Sequence, residues 1–220
     1  MLTQPAKNLI DGGYEALQRA DWAGAKHCFV QALAHTNAPE AHDGLGIACW
    51  WLNEIREAHQ HRTTAYNSYK TRGSHDKAAM LASWLGREQV FMHSNVAAML
   101  GWFTRAQTLL SSLPVGPEHA WCSLLRASMI ASPQELESVA TQALQSAQVF
   151  HDSNLEALAL AFCGLAKVVQ GSVQTGMIHL DEAMTMTTGG EVRDFVVISE
   201  TFCVMLSACE SAAACAQPRG

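Results

Sequence analysis

The chain has 220 residues, of which 49% are hydrophobic and 15% charged, and this composition favours a packed globular protein over a disordered one. The formal net charge is −6 and the few basic residues are scattered. Both argue against nucleic acid as a direct partner, because phosphate contact needs clustered Lys and Arg. We find no apolar run approaching the ~18 residues of a membrane span and no signal-peptide core. A cytoplasmic protein without a membrane segment is expected.

The apolar spacing predicts a succession of helices and no sheet. Pro39, Pro117 and Pro133 suit the first turn of a helix. Only 195–199 (FVVIS) resembles a strand, and a lone strand has no partner. In chain order the predicted helices are 5–20, 22–36, 39–53, 55–72, 75–93, 96–112, 117–131, 133–150, 153–170, 172–187 and 191–214.

A repeated trio of the form small–x3–large–x2–Ala organises these helices. Spacings of three and four residues keep each trio on one helical face, where small side chains let a neighbouring helix approach closely. An apolar helix precedes each trio, so the predicted unit is an antiparallel helix pair. The trios are Ala25/Phe29/Ala32, Ala58/Arg62/Ala65, Met99/Phe103/Ala106, Leu136/Ala140/Ala143 and Gly176/Leu180/Ala183.

Two stretches carry a resemblance to the tetratricopeptide repeat. One contains Leu45, Gly46, Ala48, Trp50, Ile55 and Ala58, and the other contains Asp21, Trp22, Ala25, Phe29, Ala32 and Leu33. Together with GPEHAW (116–121) and GMIHLDEAM (176–184), they resemble the helical repeat region of large bacterial LuxR-type transcriptional regulators. The resemblance implies an all-α, right-handed α-solenoid of about five antiparallel helix pairs plus a final helix. We expect a single domain over 1–214 and a short tail over 215–220.

In such a solenoid the first helix of each pair lines the concave face. This frame predicts a groove that binds a ligand through aromatic side chains, with charged side chains fixing its polarity. The adjacent tryptophans admit two interpretations: one wedges between helix pairs while the other floors the groove, or both are buried between repeats. The candidate groove residues are Glu40, Asp43, Trp50, Trp51, Arg87, Phe91 and Arg126.

Catalytic and metal sites find little support in the sequence. His59 and His61 point to opposite sides of one helix, and His42, His75 and His93 belong to different helices. No nucleophile elbow, P-loop or dinucleotide fingerprint occurs. Charged groove pairs such as Asp43 with Arg87 or Glu88 with Arg126 are interpreted as surface charges. We expect neither an enzyme nor a cofactor or metal.

The leading hypothesis is a regulatory interaction scaffold whose concave groove binds a peptide, a partner protein or an effector. By resemblance its setting is signal-responsive transcription control in bacteria. The alternative hypothesis is a small-molecule-binding protein or an enzyme with a pocket at the concave centre.

The last predicted helix is apolar on nearly every side. One face is expected to dock on the two preceding helices, and the other to be covered by self-association as a two-fold homodimer. A helix that folds back on itself, or a chain that is a piece of a longer protein, are the alternatives. The residues of the predicted dimer patch are Phe195, Phe202, Met205 and Cys209.

Overall fold

The computed structural model describes residues 3–216, with the side chains of His93 and of residues 214–216 excepted. Within that range the chain forms eleven α-helices and no strand, which confirms the all-α prediction. They are α1 (Gln4–Gln18), α2 (Trp22–His35), α3 (Pro39–Trp51), α4 (Ile55–Thr71), α5 (His75–His93), α6 (Val96–Leu110), α7 (Pro117–Ile130), α8 (Pro133–Phe150), α9 (Ser153–Val169), α10 (Val173–Thr188) and α11 (Phe195–Ala216).

The predicted start of the last helix at residue 191 is wrong by four positions. The backbone N–H of Glu191 and that of Val192 both donate to the Met186 carbonyl, at 3.1 and 3.4 Å, and so close the end of α10. Asp194 then caps the start of α11, because its side chain accepts from Val196 N at 2.8 Å. At the other end α11 continues to Ala216 and so includes part of the predicted tail; residues 217–220 lie outside the described range.

The described chain divides into two compact units, one ending at Pro114 and one beginning at Val115. In the first unit consecutive helices from α1 to α6 pack on one another, and α1 also contacts α3. In the second unit α9 is central, because it packs against α7, α8, α10 and α11. The Trp121 indole N–H fastens α7 to the start of α9 by donating to Asp152 Oδ2 at 2.7 Å.

The repeated trios lie on the even-numbered helices from α2 to α10, and every member is buried. This confirms the predicted register of those helices. Alanine at the last position of every trio leaves room for a neighbouring helix. A larger side chain fills the space at the middle position of every trio except that of α8, where Ala140 stands. In the second unit, the Gly164 and Gly176 backbones meet so closely that a Cβ on Gly176 would lie 2.6 Å from the Gly164 carbonyl oxygen.

The core of the first unit centres on Phe29. Its fully buried ring meets Tyr14 edge-on, with 5.2 Å between ring centroids. Two glycines on neighbouring helices make room for this ring: a Cβ on Gly13 would lie 2.7 Å from it, and a Cβ on Gly44 would overlap it. The close approach of α1 and α3 to α2 therefore depends on glycine at both positions.

One testable consequence concerns Gly44. Gly44→Ala should destabilise the chain by about 1–3 kcal/mol, because the new methyl overpacks the fully buried Phe29 ring. Gly101 is the matched control, since it is an exposed helix-interior glycine whose added Cβ would meet nothing within 4 Å. Gly101→Ala should stabilise by up to about 1 kcal/mol through helix propensity. Urea unfolding midpoints measure both, and a Gly44→Ala midpoint above that of the wild type would contradict the packing described.

Helix α11 differs from the others in length and exposure. The segment Phe195–Ala213 has a mean hydropathy of 1.5, and 22% of its most apolar window is buried. By length and composition alone this helix is apolar enough to cross a membrane, a test that the core helix of a soluble protein also passes. The expectation that no apolar stretch reaches that length is therefore wrong for α11.

Candidate functional site

A buried ion cluster joins α4 to α5 in the first unit. The Arg62 guanidinium donates to Glu88 Oε1, and His59 Nδ1 lies 3.0 Å from Glu88 Oε2. Arg62 is 6% exposed and Glu88 5%. The guanidinium carbon also lies 5.3 Å from the Trp50 ring centroid, so the cluster reaches α3 as well. The Glu88 carboxylate, interpreted from the sequence as a surface charge, is instead buried against Arg62.

The partners of Glu88 decide its protonation. Burial alone raises its pKa, but the hydrogen bond from His59 and the charge of Arg62 outweigh burial, and the pKa is lowered from 4.5. The carboxylate is therefore charged near neutral pH and compensates the buried guanidinium. Such a cluster is costly to break, because removing one charge leaves the other desolvated without compensation.

Acid titration tests this cluster. Because the folded-state pKa of Glu88 is lowered, the stability that it contributes is present above the unfolded value of 4.5 and is lost as pH falls through the folded value. Glu88→Gln should cost about 3 kcal/mol at neutral pH and flatten the loss of stability below about pH 4.5. Glu182→Gln, at an exposed position on α10, is the control. Equal acid slopes for the wild type and Glu88→Gln would contradict the assignment.

The two adjacent tryptophans have different neighbours. Trp51 stacks on Trp22 of α2, with ring centroids 5.0 Å apart and planes 13° apart. Trp50 packs against the core of the first unit and under the Arg62 guanidinium. Both rings are half-buried. Trp51 therefore ties α3 to α2, whereas Trp50 faces α4.

An acid–tyrosine face lies at the amino-terminal end of α3. The Tyr14 hydroxyl donates to the Glu40 backbone carbonyl at 3.0 Å, and the buried Glu40 Oε2 has no hydrogen-bond partner among the described residues. Burial raises the pKa of Tyr14, and so do Asp43, Tyr69 and Glu40. Burial likewise raises the pKa of Tyr69, and the carboxylates of Asp43, Glu40 and Asp76 raise it further, whereas the charge of Arg72 lowers it. Carboxylates from α3 and α5 thus raise the pKa values of the same two tyrosine hydroxyls.

A continuous stripe runs along α5 from this acidic end. Its members recur every three or four residues and so share one helical face: Asp76, Met80, Trp84, Arg87 and Phe91. The guanidinium carbon of Arg87, a residue only 3% exposed, lies 5.3 Å from the Trp84 ring centroid and 5.5 Å from that of Phe91. These contacts hold the Phe91 ring while leaving it 60% exposed.

Exposed apolar side chains of the first unit concentrate where α5 turns into α6. Apart from Val30, the large ones among its described residues form what we call the α5–α6 patch: Phe91 (60% exposed), Met92 (41%), Val96 (50%) and Leu100 (38%). Phe91 was among the predicted groove residues, but the other three were not. Their spacing resembles that of ordinary core positions, and only the burial shows that this face is open.

Some of the predicted groove residues thus lie together in the structure, and others lie on different helices. Glu40 and Asp43 share the acid–tyrosine face, and Arg87 and Phe91 share the α5 stripe. Arg126 belongs to the second unit, where it is half-buried on α7.

In the second unit a shallow cleft of about 300 Å³ lies between α7 and α8, lined by Gly116, His119, Ser123, Val139, Gln142 and Ser146 among others. Of the predicted dimer patch, Phe202 and Cys209 are exposed and Phe195 and Met205 half-buried.

The structure also pairs two histidines that the sequence placed on separate helices. Nδ1 of His42 on α3 lies 2.9 Å from Nδ1 of His61 on α4, and His42 Nε2 lies 2.8 Å from Asn37 Oδ1. Since that amide oxygen only accepts, His42 donates from Nε2 and its Nδ1 accepts from His61 Nδ1–H. Burial and the neighbouring ring lower the pKa of His42. Burial also lowers the pKa of His61, against the opposing charge of Glu57.

The histidine pair predicts a loss of stability in weak acid. The lowered pKa values mean that neutral rings stabilise the fold above pH 6.5, and that this contribution is lost as pH falls through the folded values. Two protonated rings would set N–H donors against each other. The decline in thermal midpoint below about pH 6.5 should be shallower in His42→Gln than in the wild type. His27→Gln, at an exposed position on α2, should keep the wild-type slope; a slope in His42→Gln equal to that control contradicts the pairing.

Three side chains of the kinds that bind metal ions lie close together near the start of α4. Ligand atoms of Cys49, Glu54 and Glu57 lie within 4.8 Å of one another. The Lys26 ammonium pairs with Glu54, and with Glu57 at 3.2 Å. Burial, followed by the neighbouring carboxylates, raises the pKa of the Cys49 thiol to about 12. The ammonium thus neutralises part of the charge of the two carboxylates, and the raised pKa keeps the Cys49 thiol protonated near neutral pH.

No protein-family model matches this sequence, and no curated protein or solved structure matches it.

Proposed function

We propose that the α1–α6 unit is an interaction module that binds an extended segment of a partner protein along the α5 stripe. The observation that carries the proposal is the α5–α6 patch. Large apolar side chains that are exposed together at one helix–helix connection commonly mark an interaction site. The proposal also holds that successive helix pairs form a right-handed solenoid that resembles a tetratricopeptide array and presents this face as a concave groove.

The two ends of the stripe select different chemistry in the ligand. At one end Glu40, Asp43 and Asp76 supply negative charge, and Glu40 Oε2 lacks a donor among the described residues. At the other end Phe91 and its apolar neighbours supply a site for an aromatic or aliphatic anchor. A segment with a basic residue at one end and an apolar residue at the other fits both.

The length of the stripe sets the spacing in the ligand. Asp76 and Phe91 lie on one face of a continuous helix, about 22 Å apart at 1.5 Å per residue. An extended chain covers that distance in about seven residues. The expected motif therefore places a Lys or Arg six to eight residues from a large apolar side chain. The setting proposed for this interaction is signal-responsive transcription control, which rests on the resemblance to LuxR-type regulators.

Selection from a random twelve-residue peptide library displayed on phage tests the proposal. Enriched peptides should carry the motif, and binding of the best one should weaken at least about tenfold in Phe91→Ala, the loss of one buried aromatic anchor. Asp43→Asn with Asp76→Asn should remove the preference for the basic residue while retaining the apolar one.

Val30→Ala is the matched control, because Val30 is also 50% exposed in the same unit but lies on α2. If the selected peptides bind Phe91→Ala as well as they bind Val30→Ala, the α5 stripe is not the binding surface. Far-ultraviolet circular dichroism of each variant, compared with the wild type, confirms that the helices are retained.

A further inference from the structure

Helix α11 carries two apolar stripes, only one of which the chain itself covers. The inner stripe packs on α9 and α10. Its members are at most 4% exposed and follow one another at four, three and four residues: Val197, Thr201, Val204 and Ala208. This stripe accounts for the docking of α11 within the second unit.

The second stripe, which we call the outer seam, consists of Phe195, Ile198, Phe202, Met205 and Cys209. None of these side chains is buried, and Phe202 is 43% exposed. Next to the seam, Leu206 is 64% exposed. An apolar strip of this length facing water is unfavourable unless another surface covers it.

The spacing of the outer seam fits a second helix packed along it. Its residues follow one another at three, four, three and four positions, which is the a/d pattern of a helix that packs along another helix. A second helix with matching periodicity can interlock with this stripe, since its side chains enter the holes between those of the first. An amphipathic helix on a bilayer shows the same periodicity, so the charges of α11 have to decide between these two surfaces.

The charges of α11 fit a second copy of the same helix. Its carboxylates, Glu200 and Glu210, lie at positions f and b of the heptad that begins at Phe195, so they point away from the seam. Two copies can therefore meet along the seam without opposing like charges across it. From this register and charge placement we propose that α11 forms the interface of a two-fold homodimer, in which the outer seam of one protomer packs on that of its partner.

A lipid surface fits the same helix less well. Entering a bilayer would strip the inner stripe from α9, where four side chains are already buried. Lying on a bilayer favours Lys and Arg beside the apolar face, but the charged residues between Phe195 and Ala213 are both acidic. These two observations make a second copy the occupant and a bilayer an outcome that the test has to distinguish.

Sedimentation velocity of the full chain at about 20 µM tests the proposal. The expected mass is twice 23.8 kDa. Phe202→Glu should raise the dissociation constant of the dimer at least about 30-fold, the effect of losing a central interface residue. Ile178→Glu is the matched control, because Ile178 is 61% exposed on α10 and lies outside the seam, so this variant should remain dimeric.

Circular dichroism checks that the helices survive, and Met205→Gln repeats the test without an added charge should Phe202→Glu lose helicity. A wild-type monomer at about 100 µM, or a dimer that neither seam variant weakens, overturns the proposal. Monomeric wild type that sediments with phosphatidylcholine–phosphatidylserine vesicles, and loses this property in Phe202→Glu, assigns the seam to lipid instead. The peptide-binding proposal concerns α1–α6 and is unaffected by any of these results.

Discussion

Close approach between consecutive helices is the constraint on which the first unit depends. The trios on α2, α4 and α6 each end in a fully buried alanine, and Gly13 and Gly44 leave space for the ring of Phe29. When backbones are this close, few side chains fit between them and each has one position. The way in which neighbouring helices pack then depends on which small residues face each other.

The same constraint explains why a charged residue is tolerated in the middle of the α4 trio. Arg62 stands where the other trios carry an aromatic or aliphatic side chain, or alanine. Gly46 on α3 makes room for its stem, since a Cβ there would lie 2.7 Å from Arg62 Cγ. The guanidinium then reaches Glu88 on α5 and the Trp50 ring. One buried ion pair thus fixes α3, α4 and α5 in a single arrangement, although a well-packed apolar set would cost less desolvation.

Much of this architecture can be predicted from the sequence, because the local spacing of apolar residues indicates each helix. The predicted helices differ from the observed ones by at most about four residues at an end, the range expected where caps decide the boundary. The trio register was also predictable, since every member is buried. The start of α11 was missed because Asp194 caps it through its own side chain while Val192 remains buried beside α10.

The side-chain pairs of the candidate site could not be predicted from local spacing. Arg62 and Glu88 are 26 residues apart, and His42 and His61 are 19 apart, so no local periodicity links them. Which of two apolar stripes is buried is a similar problem: on α11 the inner and outer stripes have nearly the same hydrophobicity and spacing. Only the position of α9 decides that Val197 and Val204 face inward while Phe202 and Met205 do not. The surfaces proposed for binding are therefore the apolar stripes that helix packing among the described residues leaves exposed.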